Sequence, residues 1–567
     1  MGSLDLKDEG GIAKRMWDKF QNERALALYS PFVVGLASGT LDPKSFLHCI
    51  SQDVYFLQAF AQAYGLAEEY ADDDEDKEAI VKLRKRVLKR FRNQDALIRE
   101  WGFEPPKEST CDNATLKYTE FLKETASGKV GDEKFSVKIV TPFEKTKLAA
   151  YTLSAISPCM RLYSFISEEI QSLLDPEETE HIYKKWLNSL SSNKFEESAS
   201  RIEDLLDKLS ISLTGEELGV VERLYHRAMK LELDFIWSQS VDQHSIVPFS
   251  RLPNIAEENL IIFCDFDLTC TAIDSSALLA ELAIVASTNG CELQSADIRT
   301  TWTNLFGQYI NEYQQCIESI TFNEVKVSEG LNYEGLCKAL EQISNFEKKA
   351  NLRVIESNAL KALDLEDIKR AGERLTFQDG CKRFFQDVVE SKNCVTEVHV
   401  LSYCWCGDLI KSAFSSGELN MMNVHSNDLV YEECISTGKM ISKMESPMDK
   451  LQTFKDIITK KRDKALTVYV GGSVGDLLCL LEADIGIVIG TSTSLIKLGN
   501  NFGVSFVPLF SGLLSKQREF AENGKLNRKG RCSSVLYTVF SWDEIYAFIL
   551  GNGYSSLNSL VLEKELL

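Results

Sequence analysis

Asp265-Phe-Asp267-Leu-Thr269 sets two carboxylates two residues apart, directly after the apolar run Leu260-Ile-Ile-Phe-Cys264. Where a strand turns into a loop, side chains at i and i+2 reach one ligand. One acid can then attack a phosphorus atom while the other moves a proton. Many solvated loops hold paired acids, but open α/β sheets bind ligands at the carboxyl ends of their strands. An unpaired Asp265 in that place would be costly to bury, which implies a cation. Ser402, after Val398-His-Val-Leu401, offers a hydroxyl donor. Lys450, in Ser446-Pro-Met-Asp-Lys-Leu451, offers a positive charge at a helix start. Gly471-Gly-Ser-Val-Gly-Asp476 follows Val468-Tyr-Val470 and adds another acid. Acid, acid, hydroxyl, lysine and acid suit phosphoryl transfer with Mg²⁺.

A second constellation is built on sulfur. In Ser157-Pro-Cys-Met-Arg-Leu-Tyr163, Ser157 can cap a helix and Pro158 suits its first position. That predicts Cys159 in the first turn, where the helix dipole favours thiolate, with Tyr163 four residues on and on the same face. The plain alternative is a buried structural thiol. Asp53 with Phe56, and Glu232 with Phe235, are acid–aromatic pairs three apart inside apolar helical runs. Their alternative is a surface acid near a helix boundary.

These groups need two kinds of scaffold. The chain has 567 residues, 44% of them hydrophobic, enough for more than one core. From residue 12 to about 240, apolar residues recur every three or four positions, as in Phe46, Leu47, Ile50, Val54, Leu57 and Ala61, which predicts helices. Acids at 72–78 open a helix that continues through Lys82, Arg84, Lys85, Arg86, Lys89, Arg90 and Arg92. Such a row either binds phosphate or nucleic acid or is a solvated face; the solvated reading is preferred. Segments 129–147, 173–182 and 210–216 read as breaks. Near 260 the pattern changes to short continuous apolar runs at Leu260, Val398, Leu466 and Ile485, the mark of buried parallel strands between helices. The expected organisation is an all-helical domain over 1–240, a linker over 241–258, and an α/β domain over 259–567 whose helical cap spans about 275–390.

Formal net charge is -21, from 84 acidic and 63 basic residues, which disfavours nucleic acid and anionic membranes as partners. No run approaches a membrane span. The 15 cysteines are irregularly spaced and several sit in apolar runs, which points to a reducing compartment. The first ten residues lack an apolar signal core, so the expected location is cytosolic, with a mitochondrial one left open.

The second-half residues resemble the haloacid-dehalogenase phosphohydrolase superfamily over roughly 258–567. Asp265, Asp267 and Thr269 match its first motif, Ser402 its second and Lys450 its third, with Lys443 a weaker candidate. In the fourth motif Gly472 stands where an acid is usual, and Asp476 remains. The resemblance implies a Rossmannoid sheet with Asp265 as nucleophile and Asp267 as acid/base. Thr269, Ser402 and Lys450 would contact the phosphate, and Mg²⁺ would be held by Asp265, Asp267 and Asp476. The first half resembles the TenA family over about 12–240. That implies an all-α fold like heme oxygenase, with Cys159 as nucleophile and Glu232 as acid/base. Asp53, Phe56, Tyr118 and Tyr163 would contact an aminopyrimidine. Tyr183-Lys-Lys-Trp186 matches a packing motif, and Leu190 replaces a pocket tyrosine.

The two halves in this order resemble a plant family of bifunctional thiamin proteins. The implied substrates are thiamin monophosphate and an aminopyrimidine amine, with a homo-oligomer formed through the helical domain. The competing reading is a broad small-molecule phosphatase fused to a non-catalytic helical oligomerisation or thiamin-binding domain.

Overall fold

The computed structural model describes residues 10–106, 110–130, 133–134, 141–174, 181–241, 245–252, 260–288, 292–323, 330–390, 396–415, 422–460, 465–524 and 534–553. Its contacts divide the chain into two compact units, Met1–Pro248 with Leu513–Lys525, and Phe249–Gly512 with Leu526–Leu567. Among the described residues no helix is long and apolar enough to cross a membrane.

The first unit is a helical bundle with one two-residue hairpin, Lys129–Val130 against Glu133–Lys134. Its long helices are Pro43–Tyr70, Asp74–Arg92, Pro142–Leu173, Asn193–Ser210 and Gly215–Ser238. Local chemistry sets their starts. Asp42 accepts from the Lys44 and Ser45 amides beside Pro43. Thr141 and Thr214 each form a reciprocal capping box, with Glu144 and Glu217. Asp73 caps the helix Asp74–Arg92, so the acidic run begins a helix as expected. The buried face of Pro43–Tyr70 runs through Phe46, Ile50, Leu57, Phe60 and Tyr64. The segment 129–147 is less open than expected, because Pro142 already begins a helix.

Cys159 is not in a first turn. It lies midway along the 32-residue helix Pro142–Leu173, which continues through Pro158. A proline there removes one backbone hydrogen bond and costs about 3 kcal/mol. The unbroken buried run Leu148–Pro158 offsets that cost, since this turn is enclosed in the bundle.

The second unit is built on a seven-stranded parallel sheet. Its order is Ser505–Pro508, Val535–Val539, Ile485–Ile489, Leu466–Gly471, Leu260–Cys264, Thr396–Leu401 and Asn423–His425. Four of these strands match the apolar runs in the sequence. Leu260–Cys264 is an interior strand and wholly buried, with Cys264 opposite Val400 on one side and Val470 on the other. The loops after three adjacent strands therefore open at one sheet edge. A smaller antiparallel sheet, Lys361–Asp364, Ile435–Ile441 and Asp428–Glu432, was not expected. Helices Ser275–Thr288, Glu292–Asn323 and Tyr333–Glu356 follow the first strand and supply the helical insertion.

Candidate functional sites

In the helical unit, three helices converge on a cavity of about 650 Å³. Pro43–Tyr70 brings Asp53 and Phe56, Pro142–Leu173 brings Cys159 and Tyr163, and Gly215–Ser238 brings Glu232; all five line it. Tyr118 lies behind the wall rather than in it. It is wholly buried, packs edge-on to Phe56 at 5.5 Å, and donates to the Ala155 carbonyl at 3.4 Å and to Glu232. Phe235 meets Phe56 at 4.9 Å.

Glu232 is 1% exposed. Burial pushes its carboxyl up to about 7, against hydrogen bonds from Cys159 and Tyr118. Its Oε1 has no partner among the described residues. Burial, followed by the Glu232 charge, raises the Cys159 thiol well above its ordinary value. This overturns the expectation of a thiol acidified by a helix N-terminus: the resting group is SH, and any thiolate must form by transfer to a neighbour. Burial likewise raises Asp53, and Arg90, whose guanidinium donates to it at 3.2 Å, pulls it back. Arg90 is thus a cavity residue that the solvated reading of the basic row missed. Others in that row keep to the surface reading, with Lys82 paired to Glu78 and Arg84 to Glu68. The signal was available, because Leu83, Arg86, Val87 and Arg90 follow one helix face and all line the cavity. Leu190 also lines it.

In the α/β unit the Asp265 amide donates to the Val470 carbonyl at 3.0 Å, which extends the sheet by one residue and fixes where this carboxylate emerges. Asp265 Oδ1 accepts from the Phe266 amide at 2.8 Å and from Lys450 Nζ at 3.0 Å. Lys450 is fully buried and also donates to Asp476 Oδ1 at 2.8 Å. Its ammonium lies 4.3 Å from the centre of the Tyr403 ring. Asp267 accepts from the Ser275 amide at 2.7 Å, the Ser275 hydroxyl at 3.0 Å and the Ser402 hydroxyl at 3.4 Å. Asp265, Asp267 and Thr269 line a cavity of about 720 Å³. Lys443 is instead paired with Asp428 at the surface. Asp484 binds the Thr467 amide and hydroxyl at the opposite end of its strand.

Burial raises the pKa of Asp265, helped by the Asp476 charge and opposed by Lys450. Burial and Asp274 raise Asp267 against the Ser275 bonds. For Asp476 burial acts upward too, but Lys450 and Ser473 outweigh it and lower the value. Lys450 itself is raised, since its two carboxylates overcome its burial.

The fit to Mg²⁺ turns on Asp476. Its Oδ1 accepts from Lys450 and from the Tyr469 hydroxyl at 2.8 Å, and its Oδ2 from the Ser473 amide at 2.9 Å and hydroxyl at 2.7 Å. A metal would have to displace one of these donors. Among the described residues no group of three His, Cys, Asp or Glu side chains is placed to hold a metal ion. The acids Asp265, Asp267 and Asp476 therefore do not fit a three-carboxylate cage as arranged. Nor can an acid simply be restored at 472, because a Cβ there would come 2.9 Å from the Ile489 carbonyl oxygen. The buried Thr269 Oγ1, which has no partner among the described residues, would lie 3.6 Å from that Cβ.

A helical TenA-like domain followed by a haloacid-dehalogenase-like Rossmannoid domain is the class these two units define. Residues 25–132 match the model of the TENA/THI-4/PQQC family. The chain is similar to the bifunctional TH2 protein, mitochondrial, of Arabidopsis thaliana, at 51% identity over 97% of this chain and 91% of that protein. It is also similar to an aminopyrimidine aminohydrolase of Staphylococcus saprophyticus, at 24% identity over 36% of this chain and 84% of that one. A substrate-bound phosphoserine phosphatase structure is similar at 17% identity and a TM-score of 0.28, over 42% of this chain and 90% of that chain. The chain belongs to the family of bifunctional TH2 proteins.

Gly472→Asp should lower stability by about 1–3 kcal/mol, the usual cost of overpacking against a fixed neighbour. Denaturant unfolding of the purified variant measures it, and an unchanged midpoint would mean that the Ile489 carbonyl yields freely.

Proposed function

We propose that the chain is a bifunctional thiamin-salvage hydrolase. The α/β site would hydrolyse thiamin monophosphate to thiamin and phosphate. The helical site would release ammonia from 4-amino-5-aminomethyl-2-methylpyrimidine and give the 5-hydroxymethyl product. The observation that carries this reading is that each candidate nucleophile shares its cavity with an acid whose pKa is raised by burial: Cys159 with Glu232, and Asp265 with Asp267.

In the phosphatase half, Lys450 holds the Asp265 carboxyl in place for attack on phosphorus and favours its ionised form against burial and the Asp476 charge. Asp267 protonates the leaving oxygen, then takes a proton from the water that hydrolyses the aspartyl-phosphate. Ser402 fixes the Asp267 carboxyl, Lys450 would act through Asp265, and Thr269, in the cavity lining, would meet the transferring oxygens. Mg²⁺ is kept as a requirement to be tested, and no step is assigned to it. In the helical half, Glu232 accepts the Cys159 proton as sulfur attacks the pyrimidine and passes it to the departing amine. Water then replaces sulfur. Asp53, positioned by Arg90, would receive the aminopyrimidine against Phe56. The mitochondrial designation of the Arabidopsis relative supports a mitochondrial as well as a cytosolic location.

Both reactions can be followed on one sample of the full chain. Cys159→Ser should reduce ammonia release at least about 100-fold, since the hydroxyl is a far weaker nucleophile. Asp265→Asn should abolish phosphate release from thiamin monophosphate. Ammonia release near wild type in Cys159→Ser would reject the nucleophile, and a phosphate-releasing Asp265→Asn would reject the covalent route.

The pH dependence follows from Glu232. Its carboxyl, pushed up to about 7, must be ionised to accept the thiol proton. Ammonia release should therefore climb about tenfold for each pH unit below that value and level off above it. A rate that falls as pH rises through 7 would assign Glu232 the opposite role.

Removal of divalent ions is the remaining check. EDTA should lower phosphate release and leave ammonia release in place. Full phosphatase activity in EDTA would put the neutralisation of phosphate on Lys450 alone.

A further inference from the structure

The helix Tyr333–Glu356 buries Leu336, Leu340, Ile343, Ala350 and Val354 along one face. Two members of the same row, Glu347 and Asn351, are polar, and both line the cavity that contains Asp265 and Asp267. The Glu347 carboxylate accepts from the Tyr309 hydroxyl at 2.9 Å. No basic side chain pairs with it among the described residues. Arg353, which lines the same cavity, is committed to Glu312 through bonds of 2.7 and 2.8 Å.

Aromatic rings line the same cavity. Glu292–Asn323 presents Trp302, Phe306, Tyr309 and Tyr313 at helical spacing. The Trp302 and Trp405 rings stack with centroids 5.8 Å apart, and Trp405 is held by an indole bond to Asn351 of 2.9 Å. Burial pushes the Glu347 carboxyl up to about 7, with the Tyr309 bond the only opposing effect. A half-buried acid with no cation paired to it is favoured by a ligand that supplies one. Aromatic faces attract the same kind of ligand. Lys450 is bonded to Asp265 and Asp476, and Glu347 is paired with neither it nor those acids.

We propose that Glu347, with the Trp302 and Tyr309 rings, selects phosphate esters whose leaving group carries a fixed positive charge. This deepens the thiamin monophosphate reading, since the thiazolium ring of that ester is a flat cation. A neutral sugar or an anionic leaving group gains nothing from the same wall.

The test compares kcat/KM for two esters of like shape, phosphocholine and 3,3-dimethylbutyl phosphate, with thiamin monophosphate beside them, on the full-length protein. The wild type should prefer the cationic member of the pair. Glu347→Gln should cut that preference about tenfold, the scale of one desolvated cation contact, through KM rather than kcat. Glu347→Asp, which keeps the charge, should retain more of it than Glu347→Gln. A preference unchanged in Glu347→Gln, or a wild-type ratio near one, would overturn the proposal; the second result needs no variant to fold. Loss of the preference in a protein that never turned over thiamin monophosphate would uphold the cation selector and reject the thiamin substrate.

Discussion

Lys450 is the hinge of the phosphatase half. One buried ammonium joins Asp265, just past the strand Leu260–Cys264, to Asp476, in the loop after the neighbouring strand. Two carboxylates so close each resist ionisation in a dry site; the lysine lowers the Asp476 value and opposes, without cancelling, the rise at Asp265. Removing one partner from such a buried network costs about 3–5 kcal/mol, because the charges left behind have no solvent to turn to. The parallel sheet exists around this contact in a physical sense. Its register puts Cys264 level with Val400 and Val470, so the loops carrying Asp265, Ser402 and Gly471–Asp476 start at one height. Tyr469 and Ser473 then fill the remaining acceptor sites of Asp476 and hold it as the anchor for Lys450.

The helical half meets a related problem differently. Glu232 has no buried cation and stays near its point of half protonation, with Cys159 and Tyr118 as hydrogen-bond donors. There the cost of burial is turned into basicity. A thiol held protonated beside a carboxyl raised to about 7 is an arrangement in which a proton can pass without help from a helix dipole. Glu347 in the cap carries a similar burden, eased by Tyr309 alone.

Much of this was legible in the sequence because chemistry and burial coincided. Leu260–Cys264, Leu466–Gly471 and Ile485–Ile489 are continuous apolar runs, as strands covered on both faces must be. Asn423–His425 and Ser505–Pro508 were not seen, since short, half-exposed edge strands carry mixed residues with no clear period. Pro158 misled the reading of Cys159, because local preference marks a helix start and only the enclosing bundle makes an interior proline tolerable. Asp476 looked like a metal ligand by type; its two oxygens were already claimed by a lysine, a tyrosine and a serine that sequence distance hides. Glu347 and Asn351 left a visible trace, as polar residues on an otherwise apolar helical row, but a lone acid on such a row does not announce which cavity it faces.

The central claim is that Lys450 positions Asp265 as the nucleophile of a covalent phosphatase. Quenching the enzyme during turnover of thiamin monophosphate with borohydride reduces an acyl phosphate to an alcohol, and peptide mass spectrometry then locates the reduced side chain. The account predicts conversion at Asp265 in the wild type and its loss in Lys450→Met that is still folded by circular dichroism. Conversion at another residue, or undiminished conversion at Asp265 without the lysine, would contradict it.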